Sequence, residues 1–347
     1  MFFHFLFISV ISFLTCQIVF KALKKFQIFD IPNARSSHDK PTIRGGGVSI
    51  IICTIIIFAL SDATITTAQK SSVLFGVFLL AFISFYDDMK SLKSSIRFCA
   101  HIGLSFFLLK LLGLIESDSG EIIFGQFSLN ITFSTIIYLI WIVGYTNAFN
   151  FMDGINGIAT LQCIITASGA VLLAHTLGIG LFHWASYLTA ITGAACIGFL
   201  PFNFPIAKMF MGDVGSASLG MILAITSIAL VQATDWVLFL PLVLLHVNFI
   251  MDTLITLLIR VFKGEKWYSA HRSHFYQKLQ RSGKTHFYVT CLITVLQIFI
   301  LNLVLLTVKY DIIPQIVLFT IVVFIWGIFF AYCQIQFDKN CIKKEQY

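Results

Sequence analysis

Charge is what this sequence has least of. Asp, Glu, Lys and Arg make up 11% of its 347 residues, where a soluble domain carries about 25%. A water-soluble globular enzyme is thereby excluded. Six prolines and 22 glycines are too few for a collagen-like chain, and 58% apolar residues are too many for a disordered one. The eight cysteines contain no C-x-x-C pair. Six of them (Cys16, Cys53, Cys99, Cys163, Cys196 and Cys291) lie in apolar runs and read as small hydrophobes.

What the sequence has is hydrophobic length, with a mean hydropathy of +0.91. Apolar runs fall near 2–20, 46–61, 71–86, 98–115, 131–146, 158–174, 184–200, 216–233, 236–258, 286–307 and 314–333. A helix crosses the hydrocarbon layer in about 20 residues, and in lipid every backbone amide must be bonded within its own segment or a closed barrel. Long runs without alternation therefore predict helices. The fold class is an all-α polytopic membrane protein of about eleven transmembrane helices, in one membrane-embedded domain over 1–347. The first run lacks a basic start and an A-x-A-like site, and Lys21, Lys24 and Lys25 follow it, so it reads as a retained span rather than a leader.

The formal charge of +7 points to cytoplasmic loops rather than to nucleic acid. Of the 23 Lys and Arg, 20 fall in one alternate set of segments; Lys70, Lys110 and Lys309 are the exceptions. Eleven spans then put the N-terminus outside and the C-terminus in the cytoplasm. No internal repeat is evident.

The special-purpose residues gather on that same side, in five stretches: Asp30–Gly47 (DIPNARSSHDKPTIRGGG), Phe85–Leu92 (FYDDMKSL), Asn147–Gly157 (NAFNFMDGING), Phe202–Ser216 (FNFPIAKMFMGDVGS) and Ala270–Leu279 (AHRSHFYQKL). Asp87, Asp88, Asp153 and Asp213 are expected near one membrane depth. Clustered acids repel one another and need a cation, and hard oxygen ligands suit Mg²⁺, or Mn²⁺, completed by water and phosphate. Asn147, Asn150 and Asp153 recur every three residues and would share a face if their helix runs that far. The glycines around Asp213, at the entry to a helix, and Gly45–Gly47 after Arg44 read as two anion sites built on free helix-terminal amides. Lys208 is expected on a phosphate and Phe210 on a nucleobase. His271, Arg272 and His274 lie in the most basic loop, where phosphate contact is favoured over zinc because no third ligand has suitable spacing. His4, His101, His175, His183, His246 and His286 read as structural or interfacial. Asp252, about two turns inside the ninth run, is marked as functional without an assigned role.

Taken in order, these five stretches resemble the polyprenyl-phosphate N-acetylaminosugar-1-phosphate transferases, bacterial glycosyltransferase family 4, over roughly residues 30–280. The family includes the translocase acting on UDP-MurNAc-pentapeptide and the enzymes that begin O-antigen, teichoic-acid and enterobacterial common-antigen synthesis. FMGDVGS and HRSHFYQ look most like the O-antigen and capsule-initiating branch. Two positions depart from the family pattern: Ser91 stands where DDxxD has its last acid, and Asn156 where DGxDG has its second.

The resemblance implies transfer of an N-acetylaminosugar-1-phosphate from a UDP-sugar to undecaprenyl phosphate, with release of UMP. This would occur at the bacterial inner membrane, in a site facing the cytoplasm. It implies catalytic roles for Asp87, Asp88 and Asp153, Mg²⁺ ligation by Asn150 and Asp213, and substrate contacts from Arg44, Asn147, Asn156, Lys208, Phe210, His271, Arg272 and His274. The partners expected are the UDP-sugar, the polyprenyl phosphate and the bilayer, with a homodimer left open and no nucleic acid. A transporter or flippase is the alternative from another class, and would carry its ionisable groups near the midplane on broken helices with repeat symmetry. A catalytically inactive scaffold is the other.

Overall fold

Every predicted apolar run forms a helix, and the local chemistry sets the ends. In the computed structural model, which describes residues 2–32, 37–116, 121–124, 127–266 and 271–345, the chain runs α1 (Phe2–Lys25), β1 (Phe29–Asp30), β2 (Thr42–Ile43), α2 (Gly47–Ala59), α3 (Thr67–Lys90) and α4 (Ser94–Leu111). It continues through β3 (Glu121–Phe124), β4 (Phe127–Asn130), α5 (Ile131–Met152), α6 (Ile158–Thr176), α7 (Trp184–Asn203) and α8 (Asp213–Gln232). It closes with α9 (Phe239–Phe262), a short α10 (Phe275–Arg281), α11 (His286–Tyr310) and α12 (Gln315–Glu345). Residues 33–36, with Arg35 among them, and Ala270 of the predicted stretches lie outside the described residues.

Ten of these helices are long and apolar enough to cross a membrane. The second run is the exception to the expected eleven full spans. α2 has 13 residues, about 20 Å of helix, which is short of the hydrocarbon thickness of about 30 Å. It still connects the two ends of the bundle. Its start lies against the start of α8, and the turn after it pairs with the residues before α7, where Thr64 N donates to Phe182 O at 2.7 Å. Packing inside the bundle replaces the missing length: Ile50, Ile51, Cys53 and Phe58 are all buried.

Capping fixes the boundaries elsewhere. α3 starts on a reciprocal box in which Gln69 N donates to Thr66 Oγ1 and Thr66 N to Gln69 Oε1, which satisfies two end amides at once. It ends at Ser91, whose φ of +48° turns the chain out of the helix. The run predicted as 71–86 is thus a helix from 67 to 90 that carries Asp87 and Asp88 in its last turn.

α8 is the axis of the bundle, buried along its whole apolar window. Its first half is made of small residues (Gly215, Ser216, Ala217, Ser218, Gly220), which let neighbouring backbones approach where lipid supplies no hydrophobic drive between helices. α2, α3, α5 and α7 pack around it. The termini lie at opposite ends: His4 bonds Tyr187 near the start of α7, whereas Asn340 bonds Arg281 O beside α10.

Candidate active site

The ends of α3 and α5, the starts of α2, α4 and α8, and the α10 segment meet at one end of the bundle. Two loops are strapped together there. Phe210 N donates to Ile43 O at 2.8 Å, Gly46 N to Phe210 O at 2.9 Å and Gly47 N to Met211 O at 2.8 Å. No bulkier residue would allow this: a Cβ on Gly47 would run into the backbone of Gly215. The strap aims Arg44 at the start of α8.

Three carboxylates are joined through two guanidinium groups. Arg44 Nε lies 2.8 Å from Asp88 Oδ1 and its Nη2 3.0 Å from Asp213 Oδ1. Arg97 Nη1 reaches both Asp87 Oδ2 at 2.9 Å and Asp213 Oδ2 at 3.0 Å. The other oxygen of Asp87 accepts from Leu92 N. Asp88, its side chain fully buried, also accepts from Asp213 N at 3.0 Å and Val214 N at 3.1 Å. It therefore caps α8 from another helix and sits at the positive end of that helix's dipole.

This corrects one expectation. Of the amides predicted to form two anion sites, those of Asp213 and Val214 are taken by Asp88 and those of Gly46 and Gly47 by the opposing loop. A buried backbone N–H must find a partner as the chain folds, and here the protein supplies it before any ligand does.

Asp153 is the fourth carboxylate. It follows the last turn of α5 as its C-cap, with ψ of 54°, and so leaves the helical path. The predicted stack of Asn147, Asn150 and Asp153 on one face is broken at that point. Asn150 donates to Ser216 Oγ at 2.9 Å, whereas Asn147 turns back to Val143 O of its own helix. The side chain of Asp153 makes no hydrogen bond or ion pair among the described residues and faces a cleft of about 300 Å³. Burial pushes its pKa up to about 7, and the charges of Asp213 and Asp88 add to the rise against the pull of Arg44. Arg44 behaves oppositely. Burial alone would depress it, but Asp88, Asp213 and Asp30 hold it above its ordinary value, so it stays charged.

Arg44, Asn150, Asp153, Asn156, Phe210, Asp213 and His271 all line the cleft. Asn156 donates to Pro205 O, and Phe210 lies edge-on to His38, with ring centroids 4.8 Å apart. Asp87 and Asp88 stand behind the cleft, tied to it through the arginines. Asn147, Lys208, Arg272 and His274 do not line it. Lys208 is exposed, and His274 is buried against Asp252. A neutral or charged imidazole that gives its Nδ1–H to a buried carboxylate is turned away from solvent phosphate, which is the reason His274 departs from expectation.

Several site residues were not marked by the sequence. Arg97 counted only as loop charge, although a cation one helix start beyond the Asp87-Asp88 pair, on the same side, is a usable signal. Asn203 ties the loops: Gly157 N and Thr160 Oγ1 donate to its Oδ1, and its Nδ2 donates to Met209 O. His286, read as structural or interfacial, lines the cleft, as does His38.

The donor set suits a hard divalent cation. Four carboxylates face two guanidinium groups, a surplus of two negative charges. Among the described residues, no three His, Cys, Asp or Glu side chains converge closely enough to hold an ion alone. A shell completed by an amide oxygen, water and phosphate is the habit of Mg²⁺.

Comparison with known proteins agrees with this geometry. Residues 71–231 match the family model described as glycosyl transferase family 4. The chain is 28% identical over 283 residues to a probable undecaprenyl-phosphate N-acetylglucosaminyl 1-phosphate transferase of Bacillus subtilis, covering 80% of this chain and 77% of that protein. It is 31% identical over 270 residues to the phospho-N-acetylmuramoyl-pentapeptide-transferase of Staphylococcus aureus, covering 72% and 80%. It is 25% identical over 312 residues to the decaprenyl-phosphate N-acetylglucosaminephosphotransferase of Mycobacterium leprae, covering 82% and 78%. A multi-pass bundle whose acidic helix ends close around one cleft, with similarity over most of its length to these transferases, makes this chain a member of glycosyl transferase family 4, within the superfamily of polyprenyl-phosphate aminosugar-1-phosphate transferases.

Proposed function

We propose that the protein transfers an N-acetylaminosugar-1-phosphate from a UDP-sugar to undecaprenyl phosphate, as the first membrane step of a cell-surface polysaccharide of the O-antigen or capsule type. The observation that carries this reading is the Asp87–Arg97–Asp213–Arg44–Asp88 network opening onto a cleft that also holds Asp153. Both substrates are polyanions, and a phosphoryl transfer between them needs positive charge held where negative charge develops.

An oxygen of the lipid phosphate would attack the sugar-bearing phosphorus. The bond from that phosphorus to the bridging oxygen breaks, and UMP leaves with the bridging oxygen. Arg44, at the cleft wall, would meet the pyrophosphate, and Arg97 would keep Asp87 and Asp213 in register behind it. Phe210 is suited to the uracil face, and His271 and Asn156 to polar contacts along the nucleotide. Asp153 is the carboxylate available to take a proton from the lipid phosphate, because Asp87 is committed to Arg97 and Leu92 N. Asp213 and Asn150 would hold Mg²⁺, or Mn²⁺, which when bound neutralises phosphate charge.

The basic segments all belong to the end of the bundle that carries the cleft, which supports a cytoplasmic site in the inner membrane. The transporter alternative gains nothing, since the charged cluster lies at helix ends rather than at mid-depth. The test is direct. Membranes containing the protein are incubated with undecaprenyl phosphate, Mg²⁺ and a panel of UDP-sugars, and the lipid product is identified by mass. One aminosugar should yield a lipid diphosphate-sugar with equimolar UMP, and EDTA should stop the reaction. Solute uptake without UMP would overturn the reading.

A further inference from the structure

Asp252 lies ten residues before the end of α9 and is 1% exposed, yet nothing in the reaction above uses it. Its oxygens are fully engaged. Oδ1 accepts from His274 Nδ1 and from Phe275 N, each at 3.0 Å, and from Thr256 Oγ1 at 3.2 Å. Oδ2 accepts from Tyr276 N at 3.2 Å. A carboxylate only accepts, so His274 must carry its proton on Nδ1. Three of the four donors belong to the start of α10, where the helix itself supplies a cap for the His274 amide, which donates to Gln277 Oε1 at 3.3 Å, and Asp252 takes the amides of Phe275 and Tyr276. A helix of seven residues cannot hold itself together in water. Its start is held from α9.

The same short helix is fastened to the cleft. Tyr276 donates from its hydroxyl to Phe151 O at 3.0 Å, two residues before Asp153, and its ring closes over Gly154, where a Cβ would collide with the hydroxyl. Phe275 stacks on Phe330 of α12, with centroids 4.6 Å apart. Upstream, the His271 ring lies 4.8 Å from that of His274, and His271 and Gln277 line the cleft on either side of the anchored turn.

We propose that Asp252 is a positioning residue of this site: by receiving His274 and the first amides of α10, it holds the His271-bearing segment against the cleft. The role of His271 rests on the function proposed above. The choice of residue follows from the donor set. Asparagine at 252 would turn an NH₂ group toward at least one of these three N–H donors, leaving it unpaired in a buried site. Displacing a substrate-contacting group by about 1 Å costs about 10²-fold in rate.

The experiment uses the full chain in lipid nanodiscs and reads UMP release together with hydrogen exchange over residues 271–281. Asp252→Asn should lower kcat/KM by about 10²-fold and speed exchange at Phe275 and Tyr276, with α9 and α12 unchanged. His271→Ala should be no slower when combined with Asp252→Asn than alone, because the two act as one unit. His274→Asn, which can still donate from near the Nδ1 position, should keep activity within about threefold, whereas His274→Leu should behave like Asp252→Asn. These two variants decide the matter if Asp252→Asn does not fold. Multiplying losses in the double variant, equal behaviour of His274→Asn and His274→Leu, or unchanged exchange in Asp252→Asn would overturn the proposal. If the wild type releases no UMP from any sugar, the proposed function fails, and the exchange data alone decide whether Asp252 holds the segment.

Discussion

The two ends of this bundle are built from the same helices and could hardly differ more. Around the cleft several glycines are crowded. A Cβ at Gly212 would sit 2.6 Å from Asp88 Oδ2, one at Gly157 2.6 Å from the Phe204 ring, and one at Gly47 inside the Gly215 backbone. At the far end, between α6 and α7, Gly178 and Gly180 would meet nothing within 4 Å. Charges divide in the same way. The cleft end holds a continuous carboxylate–guanidinium network, whereas Lys70 at the far end donates to Ser61 O and lies over the Phe58 ring, with no carboxylate partner among the described residues. Around the cleft, Asp87, Asp88, Asp213, Arg44 and Arg97 are each fixed by others of the set, whereas the far-end turns are held by buried apolar residues such as Leu112, Leu114 and Leu238. Pre-organisation of charge is what a phosphoryl-transfer site requires, and close backbone approach is how this chain achieves it.

The contrast can be broken most severely at Asp213, which both arginines share. Asp213→Asn should reduce UMP release by about 10³-fold while leaving the helical circular dichroism unchanged. A loss below tenfold would remove Asp213 from the centre of the site. Gly47→Ala comes next. The added methyl forces α2 and α8 apart, with an overpacking cost of about 3 kcal/mol, seen as a lowered Tm in detergent and lost activity together.

Asp153 sharpens the comparison through pH. With its pKa raised to about 7, it must lose its proton to serve, so activity should climb as pH rises through about 7 and then level off. The stability sign is the reverse. The folded chain binds a proton that the unfolded chain, with an ordinary carboxylate value near 4, has released. That contribution is present at low pH and is lost as pH rises through about 7. In EDTA, Asp153→Asn should therefore gain more Tm over the wild type at pH 8 than at pH 5, and should lose the rising limb of the activity profile. The smallest effect belongs to the far end, where Gly180→Ala should leave Tm and turnover unchanged within about 0.5 kcal/mol.

Much of this was legible beforehand, and for local reasons. Apolar length fixed the helices, and the five motif stretches lay on alternate connections, so they had to share one end. What failed to show was how backbone and side-chain groups would pair. Free amides at Gly45–Gly47 and at the start of α8 were expected to await phosphate, but the 209–211 loop takes those of Gly46 and Gly47 and Asp88 those of Asp213 and Val214. His274 was expected to contact phosphate and is buried on Asp252, while Arg97 looked like one loop cation among many and proved to bridge two acids 126 positions apart.

The sequence by itself determined that the chain spans a membrane, which segments are apolar enough to form its helices, and that the four motif aspartates and most of its cations collect on a single side, because hydrophobic length and charge asymmetry act segment by segment. Only the tertiary structure decided which carboxylate is paired, which faces the cleft, and which histidine reaches it. Those outcomes depend on donors and acceptors brought together by helix packing from distant parts of the chain, and no period or spacing along the sequence encodes such encounters.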